Sequence, residues 1–166
     1  MTSHPTSFEA RVRTATVADI TTLVHHRVEM FRDMGEITTR NESLLTEASE
    51  SFFGAAVASG EYIAWLATAS GAPEHIVAGA GLWLRPMLPR PHAGGVATGM
   101  EGLVANVYTE PGWRRRGLAA LLMRHVLVYA REHNIDRVLL HASEKGRSLY
   151  EALGFVITNE MKLAAR

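Results

Sequence analysis

The densest chemistry in the sequence lies in VYTEPGWRRRGLAALLM, where Arg114, Arg115 and Arg116 run into Gly117, Leu118 and Ala119. A strand-like run ends, a turn follows and a helical repeat begins, which puts these residues at a helix N-terminus. The first turn of a helix leaves four backbone N–H groups unpaired and carries the positive end of the helix dipole. Gly117 and the small Ala119 let a phosphate approach that backbone. Three arginines there oppose the dipole at a cost of about 0.3–1 kcal/mol each, which a bound polyanion offsets by reversing the local field. The same run also reads as a solvated basic face, and spacing alone leaves both readings open. The Gly-x-Gly-x-x-Gly dinucleotide fingerprint and the Gly-Lys-Ser/Thr of a P-loop are both missing.

The elements that must position this junction follow from periodicity. Phe8–Thr14 alternates like a short strand, and Thr16 with Asp19 forms a near capping box. The helix that follows repeats Ile20, Leu23, Val24, Val28 and Phe31, with Gly35 as its C-cap. Asn41 or Ser43 opens a second helix, which Gly60 ends. Tyr62–Ala69 and Ile76–Leu84 read as strands joined by the turn-rich SGAPE, and MLPRPHAGG as a loop long enough to bind something. Gly102–Thr109 is a strand stopped by Pro111. Arg115–His133 is the best helix, with Leu118, Leu122, Val126 and Tyr129 at i, i+4, i+8 and i+11 and Asn134 to end it. A strand Arg137–His141, a short helix capped by Ser143 and closed by Gly154, and a last strand Phe155–Leu163 complete the order β-α-α-β-β-β-α-β-α-β. Interleaved strands and helices imply a mixed α/β or α+β domain around one central sheet.

Composition narrows the classes. The 166 residues fit one domain at roughly 150 residues per domain, with residues 1–7 expected as a flexible tail. Apolar residues at 47% and charged residues at 20% suit a packed globule rather than a disordered chain. Seventeen Lys and Arg balance seventeen Asp and Glu, which opposes a nucleic-acid partner. No cysteine is present, so disulfides, thiolate metal sites and a cysteine nucleophile are excluded. The adjacent His25 and His26 point about 100° apart on a helix, and no His-Glu-x-x-His occurs, so no metal is expected. No apolar run approaches the roughly 20 residues that span a bilayer, and the start MTSHPTSFEARVR lacks a signal-peptide core. The expectation is a cytoplasmic protein with no membrane partner.

Arg114-x-x-Gly117-x-Ala119 fits the Gln/Arg-x-x-Gly-x-Gly/Ala pattern of the GNAT superfamily of acyl-CoA-dependent N-acyltransferases. The later SLYEALGF resembles that family's second signature, in the family's order, and the resemblance runs over essentially the whole chain. It implies a GNAT-like central sheet of about six to seven strands flanked by about four helices, with one parallel strand pair splayed apart. Acetyl-CoA would be the co-substrate, threaded between the strand ending at Thr109 and the strand Arg137–His141. The backbone edge of Val107, Tyr108 and Thr109 would pair with the pantetheine amides. The backbone N–H groups of Arg115, Arg116, Gly117, Leu118, Ala119 and Ala120 would hold the pyrophosphate, with the side chains of Arg114–Arg116 screening its charge. Tyr150 matches the tyrosine proposed to protonate the departing thiolate, a role suited to a phenol of pKa about 10; it also reads as a core residue beside Phe155. Ser143 stands where many relatives carry Asn and would reach a cofactor hydroxyl or amide.

The remaining site residues carry weaker signals. Glu101, just upstream on the strand that delivers the thioester, is the candidate general base, with His141 second; the residue pattern by itself favours a solvated strand-end role for Glu101. Backbone N–H at Tyr108 or Thr109 would stabilise the oxyanion. Glu29, Met30 and Phe31, near the end of the first helix, are the candidate acceptor contacts, with Trp83, Arg85 and the proline-rich loop beside them. The expected acceptor is a small-molecule amine that attacks directly in a ternary complex. A protein N-terminus or lysine, or a non-catalytic acyl-CoA-binding module, are the alternatives, and a homodimer is compatible with either.

Overall fold

The computed structural model describes residues 10–163. The expected N-terminal tail lies outside them. Strand β1 (Arg11–Thr14) leads to a 3-10 turn at Val17–Asp19 and then to α1 (Ile20–Asp33). The capping box forms: Asp19 accepts from the Thr16 backbone N–H at 2.8 Å, and the Thr16 hydroxyl accepts from the Ala18 N–H at 3.3 Å. Arg13 donates twice to the same Asp19 carboxylate, at 2.7 and 2.8 Å, which ties the strand to the helix start. Helix α2 (Glu42–Ser59) follows and ends at the left-handed Gly60.

Strands β2 (Tyr62–Ala69) and β3 (Ala72–Pro86) form the central hairpin, and the second strand is longer at both ends than the sequence suggested. The segment read as a loop contains a separate hairpin, β4 (Arg90–His92) and β5 (Gly95–Ala97). Next come β6 (Met100–Thr109), a 3-10 turn at Pro111–Trp113, α3 (Leu118–Glu132), β7 (Arg137–Leu140) and α4 (Arg147–Ala152). The central sheet has order β1-β2-β3-β6-β7, antiparallel except for the last pair. Seven strands are therefore present among the described residues, five in the central sheet and two in the small one. The expected strand over 155–163 does not form: this segment joins neither sheet, and Val156, Ile157, Met161 and Leu163 are exposed. The outer edge of β7, the last strand of the central sheet, is left without a strand partner among the described residues.

Helices cover both faces of the sheet. Leu23, Val24, Val28 and Phe53 pack on Ala64 and Leu66 on one side. Leu118, Leu122, Met123 and Val126 pack on Trp65, Ala67, Leu82 and Val104 on the other. Alternate residues of β2 thus serve opposite cores, which is why the strand reads as continuously apolar. Burying both faces fixes register, because a slip by one residue would exchange the two sets.

Candidate active site

Strands β6 and β7 pair in parallel from Glu101 opposite Arg137 to Val104 opposite Leu140. There β7 stops, while β6 runs on to Thr109 against β3 alone. The edge of Ala105–Thr109 that faces away from β3 therefore has no strand partner. A bulge bends β6 at this point. Two residues, Asn106 and Val107, lie between the pairings Gly81–Ala105 and Gly79–Tyr108, and Asn106 takes φ +60°. The bulge is held from α1, because the Asn106 amide donates to the Leu23 carbonyl at 2.9 Å. Nothing in the residue pattern marked Asn106; only its tolerance of the left-handed region hinted at it.

Below this edge, the residues between β6 and α3 differ from expectation. The helix starts at Leu118, not Arg115, and the three arginines sit in a loop. Arg115 has φ +62° and Gly117 φ +78°. These left-handed residues turn the chain so that the N–H groups of Leu118, Ala119 and Ala120 head the helix. Among the described residues, no acceptor takes the N–H of Gly117, Leu118, Ala119 or Ala120. The first helical bond at this end runs from the Leu121 N–H to the Gly117 carbonyl, at 3.0 Å. A row of unpaired donors at the positive end of a dipole is an anion site in chemical terms. The side chains of Arg114 and Arg116 serve other contacts. Arg114 donates to the Thr109 carbonyl at 3.0 Å and to Asp33 at 2.5 Å, and lies over the Tyr108 ring. Arg116 donates to the Gly112 carbonyl and lies over Trp113.

Tyr150 is half-buried on α4, edge-on to Phe155, and borders the core on the α3 side together with Val107 and Leu140. Burial raises its pKa, so the phenol keeps its proton at neutral pH. Ser143 is not the helix cap. Its hydroxyl accepts from the Gly146 N–H at 3.2 Å, shaping a turn one residue before α4.

Glu101 is not at a solvated strand end. It is buried, and its carboxylate accepts from Arg85 Nε at 2.5 Å and from Arg137, through Nε at 2.9 Å and also through Nη2. Burial works to raise its pKa, but the hydrogen bonds from Arg137 and Arg85 outweigh this and hold it below the ordinary carboxylate range. A carboxylate so held is a weak proton acceptor, and its oxygens are already engaged. Its position joins β3, β6 and β7 where their pairing begins. His141 is exposed and lies 3.5 Å from Glu160.

On the opposite face from α3, a cavity of about 330 Å³ opens between α1, α2 and the sheet. Leu103 and Ala105 of β6 lie at the sheet side, next to the point where β7 departs. Trp83, expected as an acceptor contact, is in its wall; Glu29, Met30 and Phe31 are not. Glu29 pairs instead with Arg32 at 3.1 Å, and Phe31 lies under the Arg27 guanidinium. The cavity is lined by the adjacent turn of α1, at Arg27, and by Leu45, Ala48, Ser49, Phe52 and Phe53 of α2, none of which the sequence had singled out as acceptor contacts. Among the described residues, no cluster of three or more His, Asp or Glu side chains is placed to hold a metal ion, and no helix is long and apolar enough to cross a membrane.

Residues 20–155 match the model of the acetyltransferase (GNAT) family. Among solved structures, the chain is similar to a GCN5-related N-acetyltransferase from Ralstonia eutropha, at 27% identity and a TM-score of 0.80, covering 95% of this chain and 99% of that one. It is also similar to a predicted acetyltransferase from Clostridium acetobutylicum crystallised with acetyl-CoA, at 28% identity and a TM-score of 0.78, covering 95% and 96%. A glucosamine-6-phosphate N-acetyltransferase from Arabidopsis thaliana shares the fold at 12% identity, with a TM-score of 0.68 and coverage of 95% and 98%. None of the curated proteins compared matches the chain. The splayed strand pair, the donor-rich turn ahead of α3 and the family match over most of its length make this chain an acyltransferase, a member of the GNAT acetyltransferase family.

Proposed function

We propose that this protein transfers the acetyl group of acetyl-CoA to the primary amine of a small molecule. One observation carries the reading. The unpaired N–H groups from Gly117 to Ala120 head the helix that follows the open edge of β6, an arrangement that suits a pyrophosphate and an amide-bearing arm of one ligand. Acetyl-CoA supplies a thioester, whose acyl carbon takes the amine lone pair while the C–S electron pair leaves on sulfur. The chain's own residues do the rest. Gly117, Leu118, Ala119 and Ala120 meet phosphate oxygens through their backbone. Val107, Tyr108 and Thr109 offer the strand edge, although the Thr109 carbonyl already accepts from Arg114. Tyr150, protonated at neutral pH, is the proton donor to the departing sulfur.

Glu101 is assigned to holding the strand pair together rather than to taking the amine proton, because two guanidinium groups occupy it. The proton of the amine then leaves to water. Binding both reactants in line is the main contribution asked of the fold.

Calorimetry with acetyl-CoA, followed by thiol release across amines, amino acids, polyamines, aminoglycosides and short peptides, tests this reading. Tyr150→Phe is expected to lower turnover by about 10²–10⁴-fold while acetyl-CoA affinity stays nearly the same. Wild-type turnover in that variant would remove Tyr150 from the mechanism. Absence of acetyl-CoA binding to the wild-type protein would overturn the reading as a whole.

A further inference from the structure

The cavity between α1, α2 and β6 carries more information than its position. Three of its walls are aromatic. Phe52 stands edge-on to Phe53, Tyr62 and Trp83, with ring centroids 5.5, 6.2 and 5.6 Å away. Phe52 itself is 41% exposed, an aromatic surface left at the mouth instead of being packed away. Perpendicular rings at these spacings leave faces and edges to which a further flat ring fits well.

The cavity's charge is one-sided. Among the described residues lining it, Arg27 is the only Lys, Arg, Asp or Glu. It is half-buried, and among the described residues no carboxylate lies within ion-pair distance of it; its neighbour is the Phe31 ring, 5.0 Å from the guanidinium carbon. A guanidinium facing an apolar hollow with no counter-charge is suited to a carboxylate, which it meets through parallel N–H donors. A polycationic amine finds repulsion there and no anion.

A second polar group points the same way. Tyr62 is fully buried in the cavity wall and its hydroxyl has no hydrogen-bond partner, which is costly for a group with a proton to donate. Burial keeps that hydroxyl protonated. The tyrosine fits only because residue 81 is glycine: a Cβ there would stand 1.9 Å from the Tyr62 oxygen. The chain thus makes room at Gly81 for an unpaired donor in the wall of the same cavity that Arg27 lines.

We propose that this cavity is the acceptor site for a small amine that carries an aromatic ring and a carboxylate, with the ring among Phe52, Tyr62 and Trp83 and the carboxylate on Arg27. The inference rests on the acetyl-transfer reading, because Leu103 and Ala105 set the cavity beside the diverging strands. The chemistry is shared by aromatic α-amino acids and by aminobenzoates. These differ in where the amine sits relative to the carboxylate, and the test separates them.

Thiol release at saturating acetyl-CoA is measured with L-phenylalanine, L-tryptophan and 4-aminobenzoate. Phenethylamine and aniline serve as the same rings without a carboxylate, and spermidine as a polycation. At least one carboxylated ring is expected to exceed its uncharged counterpart in kcat/KM by about tenfold or more, and to exceed spermidine as well. Which carboxylated ring leads identifies the source. In Arg27→Gln that ratio is expected to fall by about tenfold, through KM, while acetyl-CoA binding by calorimetry and the melting temperature are retained. Preference for spermidine or for the uncharged rings overturns the inference, as does an unchanged ratio in Arg27→Gln. If Arg27→Gln fails to fold, wild-type calorimetry with each carboxylated ring decides instead, and no heat from any of them overturns the proposal. Loss of acetyl-CoA binding in the wild type marks failure of the underlying reading; acetyl-CoA binding without response to any carboxylated ring marks failure of this inference alone.

Discussion

Arg114 reaches 2.5 Å from Asp33, so the first residue of the anion-binding motif is tied to the last residue of the first long helix. The same guanidinium donates to the carbonyl of Thr109, where β6 ends. Arg114 therefore acts as a brace among three elements instead of reaching into the phosphate site. Both charges of the ion pair are about half exposed, so its coupling is expected to be small, at most about 1 kcal/mol in a double-mutant cycle of Asp33→Ala and Arg114→Ala followed by urea unfolding. A coupling well beyond that range would mean the pair is better shielded than its exposure indicates.

The two left-handed residues ahead of α3 make opposite predictions. Arg115→Gly relieves a conformation that costs a side-chain residue about 1 kcal/mol, so stability is expected to hold or rise slightly. Gly117→Val forces a branched residue to φ +78° and is expected to cost about 1–2 kcal/mol or more. Space is not the obstacle at Gly117, because nothing lies within 4 Å of the added Cβ; the backbone is. Acetyl-CoA titration of both variants should show binding weakened in Gly117→Val and largely kept in Arg115→Gly.

Glu101→Gln separates an anchor from a base. The neutral amide keeps the shape but leaves Arg85 and Arg137 without their counter-charge, for an expected loss of about 1–3 kcal/mol, since the carboxylate is buried while both guanidiniums are about 40% exposed. Turnover per folded molecule should stay within a few-fold of wild type. A drop of a hundredfold at full folding would restore Glu101 as the proton acceptor.

His26 predicts an acid-side loss of stability. Its ring is fully buried on α1, beside Tyr108, and neither nitrogen has a hydrogen-bond partner. Burial, aided by the neighbouring His25, lowers its pKa from 6.5 to about 4. The unfolded chain therefore binds the proton first as pH falls. Stability is fully present above pH 6.5, declines as pH drops toward 4, and loses about 2 kcal/mol between pH 7 and 5 from this group. Denaturant unfolding at those two pH values should show the loss in wild type and a much flatter response in His26→Leu. Equal slopes would exclude His26 as the source.

Much of this architecture was legible in the residue pattern, because local rules and global packing agree there. Tyr62–Ala69 is a strand with the bounds that its apolar run suggested, and Gly35, Gly60 and Asn134 take the left-handed turns expected at helix ends. The Arg114-x-x-Gly117-x-Ala119 motif marks the donor-rich turn in the sequence itself. Tertiary structure decided the rest. Side-chain types alone do not say that Arg114 and Arg116 fold back onto the loop and leave the main chain to meet an anion. They do not say that Glu101 lies between two guanidiniums contributed by β3 and β7, since those partners are distant in sequence. They placed Tyr62 at the start of a strand and gave Phe53 and Arg27 no role. Only the packing of α1 and α2 over the sheet gathers them into one cavity, because its walls come from elements that meet in space and not along the chain.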